Sequence, residues 1–233
     1  HPRLGDEYTY CRKILNLKVS AGGVLGEAGG GTSAGLDFRL TDRRINPLAY
    51  ANPDRYRDDQ FYFACPLDLF DNAAREKLYA LLGGKNGKRA IEPLCGEVNQ
   101  DIYGAAQGNW MAGGGLIDIP ESWSKSIALV HDNVDPSIGV FSIGGIISSP
   151  RKIQFIISHS GTVNREFSEV KPDGNIYCYE GRTIKLMNPY GIVGVSVERV
   201  IIQMINNTSM KTEFQNNSCN NSYQFFNPTI YER

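Results

Sequence analysis

The amino-acid sequence predicts a mainly β protein, a β-barrel or β-sandwich, with one short helix in the N-terminal half. Three observations carry this expectation. From Lys125 onward, short apolar runs follow one another with turn residues between them, the spacing of all-β architectures. Only one stretch, about residues 72–82, has apolar side chains at helical spacing. With 233 residues and 41% hydrophobic composition, the chain is long enough to bury a core of its own.

Taken in order, Tyr8–Val19 and Leu36–Leu40 read as strands, the second because Leu36-Asp37-Phe38-Arg39-Leu40 alternates apolar and polar residues. Between them lies Ala21–Gly35, with seven glycines in the fourteen positions from Gly22 to Gly35. Phosphate-binding loops are also rich in glycine, but they present backbone N–H groups at the start of a helix, and the Walker form ends in Lys followed by Ser or Thr. No lysine occurs between Lys18 and Lys77, and Thr32 leads into a strand pattern. The stretch is therefore expected to be a long mobile connection rather than a nucleotide site. Arg43–Asp59, rich in Asn, Pro, Asp and Arg, reads as irregular, and Phe61–Ala64 as a short strand running into Cys65-Pro66. Asp71 or Asn72 caps the helix, Ala74, Leu78, Leu81 and Leu82 form the stripe by which it is expected to pack, and Gly83-Gly84 ends it.

The second half is expected to hold strands at Ser126–His131, Ile138–Ile147, Ile153–Ser158, Asn175–Tyr179, Thr183–Met187 and Ile192–Met204. Asp173-Gly174 is a favoured hairpin turn. In Tyr177-Cys178-Tyr179 the two tyrosines share one face and the cysteine takes the other. Glycines 104, 108 and 113–115 mark a flexible boundary near Tyr103–Gly115, dividing the chain into residues 1–107 and 108–233 unless it forms one continuous domain. Gly108-Asn109-Trp110 has the Gly-x-Trp form found at the start of lipocalin-type barrels. Three residues do not establish a family, and Trp110 is expected to plug one end of a β core.

Charge excludes some partners. Lys and Arg number 24 against 25 Asp and Glu, for a net charge of −1, so no general field draws in nucleic acid. The longest apolar stretch, near Ile201–Ile205, is too short for a membrane helix. Other features point to an exported protein, secreted or at the cell surface. The chain opens at His1-Pro2, which reads as a processed or trimmed terminus. Five cysteines without a CxxC pair suit disulfides better than zinc, with Cys65 and Cys95 flanking the helix and Cys178 and Cys219 tethering the tail, which leaves Cys11. The tail, expected to be rich in loops, carries N-glycosylation triplets at Asn206, Asn207, Asn216 and Asn220.

Candidate chemistry is sparse. The histidines are His1, His131 and His159. An N-terminal histidine offers its amine and imidazole to one metal, and a second histidine completes a three-nitrogen site suited to copper, so an oxidative copper enzyme is one alternative. No Gly-x-Ser-x-Gly elbow is present, because Val140 precedes Phe141-Ser142-Ile143-Gly144. Glu97, Asp101, Asp118, Glu121, Asp132 and Asp135 offer acid pairs for a hydrolase, and Asp132 and Asp135 alternatively cap a turn. Trp110 and Trp123, with several tyrosines, offer stacking faces. The expected function is a non-catalytic binding module for a small molecule, glycan or partner protein, through Trp110, Trp123, Asp132 and Asp135. A further alternative is a structural subunit of an extracellular assembly, a homo-oligomer built by strand addition at open sheet edges.

Overall fold

The computed structural model describes residues 18–24, 26, 38–83, 87–117, 120–185, 192–194 and 198–233. The chain divides into two compact units, His1–Phe38 and Arg39–Arg233. In the first, the described part is a turn in which the Gly23 N–H donates to Ser20 O at 2.9 Å, with Gly22 at φ 77°. The expected strand up to Leu17, most of the glycine-rich stretch, His1 and Cys11 lie outside the described residues.

The second unit is built mostly of strands: β1 (Leu40–Thr41), β2 (Phe63–Ala64), β3 (Gly108–Met111), β4 (Ser126–His131), β5 (Ile138–Ile143), β6 (Arg151–Ile156), β7 (Tyr177–Glu180), β8 (Arg182–Lys185), β9 (Ile192–Gly194), β10 (Arg199–Asn206), β11 (Ser209–Gln215) and β12 (Thr229–Glu232). Its helix, α1 (Asn72–Leu81), lies in the N-terminal half as expected. β1 and β2 pair with each other, and the other ten strands form one antiparallel sheet in the order β7, β10, β11, β12, β3, β4, β5, β6, β8, β9.

Nine of these strands wrap into a nearly closed barrel, because β7 and β8 are consecutive pieces of one run of chain. Tyr177–Glu180 pairs with β10 on one side, and Arg182–Lys185 pairs with β6 on the other. Gly181 makes the switch, and a Cβ there would lie 2.2 Å from the Gln154 carbonyl oxygen, so no larger residue fits.

Cross-strand partners share a face, which fixes the interior. Leu129 lies opposite Phe141, Phe141 opposite Ile153, and Met210 opposite Tyr231, all buried. Tyr177 and Tyr179 point inward with them, and Cys178 points outward. Phe167, from the connection between β6 and β7, enters this core, with its ring 4.8 Å from Tyr179 and 5.4 Å from Phe155 between centroids. The interior is thus filled by side chains, as suits a barrel of this size.

Trp110 is 0% exposed and belongs to the barrel core. Its Nε1 donates to Ala106 O at 2.8 Å, and the Arg233 guanidinium lies 4.1 Å from the ring centroid. Gly108 has φ 123°, and a Cβ there would sit 2.2 Å from Asp101 Oδ1, the atom that receives the Asn109 N–H at 2.8 Å. The glycine two residues before Trp110 is therefore demanded by Asp101.

Three expectations are corrected. The Tyr103–Gly115 stretch is no flexible hinge, because Ala105, Ala106, Trp110 and Met111 are fully buried and Gly108–Met111 is a barrel strand. The tail is loop over most of its length, as expected, but it also carries two barrel strands that the expectation left out. It supplies β11, where Met210, Thr212 and Phe214 face inward between polar neighbours, and β12, where Tyr231 does. The α1 stripe packs poorly, since no residue of the helix is buried and Leu81 is 80% exposed. Asp71 caps α1 as expected, accepting the Ala74 N–H at 2.9 Å. The helix is tied through its neighbours, by Tyr79 donating to Asp68 at 2.5 Å and by the Cys65–Cys95 disulfide around it.

Both expected disulfides form, Cys65–Cys95 and Cys178–Cys219. The second pins the tail over Ile201 on the outer wall, where Ile176, Tyr223 and Phe225 complete a small apolar cluster.

Candidate functional site

His131 ends β4 on the inward face, and Glu166 comes from the connection that carries Phe167. The imidazole Nε2 lies 3.0 and 3.1 Å from the two Glu166 oxygens. Glu166 also accepts the Ser168 N–H at 3.2 Å. The bond to Glu166 raises the His131 pKa above its ordinary 6.5 against partial burial, with Glu97 adding to the effect. Burial pushes the Glu166 carboxyl up, but His131 and the Ser168 N–H outweigh it and hold the carboxyl below 4.5. His159 Nδ1 meets Glu169 at 2.8 Å, and Arg165 Nε meets the same carboxylate at 2.7 Å. Each described histidine is thus taken up by one carboxylate. Among the described residues no group of three or more His, Cys, Asp and Glu is placed to hold a metal, and His1 lies outside them.

The His131–Glu166 clasp has a signed pH dependence. A cation whose folded pKa is raised stabilises fully below its unfolded value and loses that contribution as pH rises through the folded one. The lowered Glu166 value sets the acid limit. His131→Gln is expected to cost about 1–2 kcal/mol where both groups are charged. The wild-type advantage in urea unfolding should be largest between pH 4.5 and 6.5 and shrink above that window. An advantage that grows towards alkaline pH would contradict the assignment.

The outer wall carries a different feature. A cleft of about 440 Å³ lies over β3, β4 and β5, walled by residues from the 50–63 segment and by Trp123. Its floor is the row Asn109, Ala128 and Ser142, adjacent in the ladder and facing away from the core. Tyr50 and Tyr56 stack at 3.7 Å between centroids. The Tyr56 hydroxyl donates to Asp101 at 3.0 Å and receives Asn109 Nδ2 at 3.3 Å. Burial, with the Asp101 carboxylate beside it, pushes the Tyr56 phenol well above its ordinary 10.0, so it stays neutral. The segment is fastened to the barrel by Arg55, whose Nη1 donates to Gly113 O at 2.7 Å and whose carbonyl receives the Ile117 N–H at 2.8 Å.

Trp123 is 53% exposed, yet its backbone is fixed. It sits in the 3-10 turn Pro120–Lys125, bound to the end of β5 by Gly144 N–H to Ser126 O and Ile146 N–H to Ser124 O, both 2.9 Å. A Cβ on Gly144 would lie 1.8 Å from Trp123 O, so the approach exists only with glycine. Among the described residues, no Asp, Glu, Lys, Arg or His lines this cleft.

A second outer cleft, of about 390 Å³, is lined by Asp132, Asp135, Ile138, Gln154, Ile156 and Arg182 among others. Asp132 Oδ1 accepts the Val134 and Asp135 N–H groups at 2.9 and 3.2 Å, and its Oδ2 accepts Gln154 Nε2 at 3.1 Å. Asp135 accepts the Ser137 N–H and hydroxyl at 3.0 and 2.6 Å. Both carboxylates cap the turn between β4 and β5.

The structure therefore separates the expected binding residues. Asp132 and Asp135 line one cleft, Trp123 borders another, and Trp110 has no face open to solvent. Sequence reading passed over Asn109, Ala128 and Ser142, whose adjacency exists only in the folded ladder. Asn206, Asn207, Asn216 and Asn220 are all exposed. Asp101, offered above as half of an acid pair, is engaged by Tyr56 and two backbone N–H groups, and Asp118 lies outside the described residues.

Comparison with known proteins finds no matching family model, no matching curated protein and no matching solved structure. Among the described residues no helix is long and apolar enough to cross a membrane. The two disulfides fit an oxidising, extracytoplasmic setting.

Proposed function

We propose that the protein is a non-catalytic binding module, secreted or displayed at the cell surface, that holds a small uncharged molecule in the cleft over β3, β4 and β5. One observation carries the reading. The cleft joins aromatic walls to a polar floor, with tyrosine the one ionisable type among its described lining residues, and its volume falls in the range of small-molecule sites. Supporting it, the walls are fastened before any ligand arrives, Tyr56 by Asp101 and Trp123 by the turn against Gly144, which lowers the ordering cost of binding.

Ala128 tests this reading. A leucine there fills the middle of the floor from the outward face and leaves the barrel interior untouched. Native mass spectrometry of protein purified from its source is expected to find a retained neutral organic mass, at least tenfold less occupied in Ala128→Leu. No adduct in the wild type, or equal occupancy in the variant, would overturn the proposal.

A further inference from the structure

We infer that this cleft selects a neutral saccharide, with the Trp123 indole as the platform for a sugar ring and with Asn109 and Ser142 reading its hydroxyl groups. The inference rests on the binding-module reading above and names the ligand class.

Three features of the cleft discriminate between ligand classes. The first is charge. Among the described residues no Asp, Glu, Lys, Arg or His lines the cleft, so an anion or cation entering it would lose hydration and find no opposite charge among them. The second is the floor. Asn109 Oδ1 and Ser142 Oγ have no hydrogen-bond partner among the described residues, although the other end of the Asn109 amide is held at Tyr56. A purely apolar ligand would cover these atoms and leave them unpaired, at about 1–3 kcal/mol for each buried group. A ligand with hydroxyl groups satisfies both, donating to the Asn109 oxygen and exchanging bonds with the Ser142 hydroxyl.

The third feature is Trp123. A half-exposed indole on a fixed backbone contributes little to the core, since it lies outside every buried cluster. An indole with half its surface exposed can offer its π-system to a partner with polarised C–H bonds on one side and hydroxyls around the rim. A pyranose ring has that form, apolar across its faces and polar at its edge. The spacing of the parts agrees, because Trp123 stands at the border of the cleft and the two polar groups stand on its floor, flanking the small Ala128. Ala128 leaves the depth a ring edge needs.

The sequence supplies the reporter. Only two tryptophans occur, and Trp110 is fully buried, so a change in emission on adding ligand reports on Trp123. Oligosaccharides of glucose, mannose, galactose and N-acetylglucosamine would be titrated against the full chain by fluorescence and, independently of tryptophan, by saturation-transfer NMR. Adenosine and caffeine serve as neutral flat aromatics. At least one saccharide is expected to bind, with affinity reduced tenfold or more in Trp123→Ala and severalfold in Ser142→Ala, at unchanged thermal stability. Binding of the flat aromatics alone, lost in Ala128→Leu, would overturn the saccharide assignment and leave the cleft standing. Saccharide binding that persists in both Trp123→Ala and Ala128→Leu would place the ligand elsewhere and overturn both. Silence from every saccharide overturns the inference.

Discussion

Trp110→Ala is expected to lower the unfolding free energy by about 3–5 kcal/mol, the range for truncating a large buried aromatic. The cost has three sources. The indole is 0% exposed, and its removal leaves a cavity that the closed strands around it cannot easily fill. The Ala106 carbonyl loses the Nε1–H that it accepts at 2.8 Å. The Arg233 guanidinium, 4.1 Å from the ring centroid, loses its aromatic face while remaining buried. Burial already lowers the Arg233 pKa from 12.5 to about 10, so the side chain is a cation at neutral pH whose environment depends on that ring and on the Ile102 and Gln107 carbonyls to which it donates. Guanidinium unfolding at neutral pH measures the loss. A cost under about 1.5 kcal/mol would mean that the core collapses around the gap.

Strands β4 to β8 were legible because each obeys a local rule, whereas the one strand expected over Ile192–Met204 is two, β9 and β10. Ser126–His131 forms where its alternation places it, and the two tyrosines around Cys178 turn inward together. The disulfide partners were legible from what each cysteine flanks. β11 was passed over although Met210, Thr212 and Phe214 alternate with Lys211, Glu213 and Gln215, because the asparagines on both sides read as loop. The glycines before Trp110 misled in the opposite direction. They suggested flexibility, whereas Gly108 serves a close approach of Asp101 that no local pattern announces. The α1 stripe shows the limit of periodicity, which marks a helix but not whether a partner surface exists for it. The cleft lay furthest out of reach. Asn109, Ala128 and Ser142 come from separate strands, and only the register sets them in a row. Trp123 could be named as a stacking face from its residue type, but its exposure depends on Gly144, in the next hairpin.

Glu198→Ala is expected to cost about 3–5 kcal/mol, more than its polar character suggests, because it strands a cation. Arg151 lies opposite Ile143 in the ladder and so points into the barrel, where its Nη1 stands 2.7 Å from Glu198 Oε2, with both side chains 8% exposed. Its other contacts are the Ser149 carbonyl at 3.1 Å, the Ser149 hydroxyl at 2.6 Å and the Phe214 ring at 4.6 Å from its centroid. These are neutral groups, and none of them balances a buried guanidinium. Pairing two ions at this depth recovers roughly what their desolvation costs, so the pair itself adds little net stability, while either partner alone is strongly unfavourable. The double variant Arg151→Met, Glu198→Leu should therefore be more stable than Glu198→Ala by about 2 kcal/mol or more, although it changes two residues instead of one. Denaturant midpoints of the wild type, Arg151→Met, Glu198→Leu and the double variant complete the cycle, with Glu198→Ala measured beside them. If the double variant is no more stable than Glu198→Ala, the penalty is not an unpaired charge, and Glu198 matters for the shape it fills beside Arg199 at the start of β10.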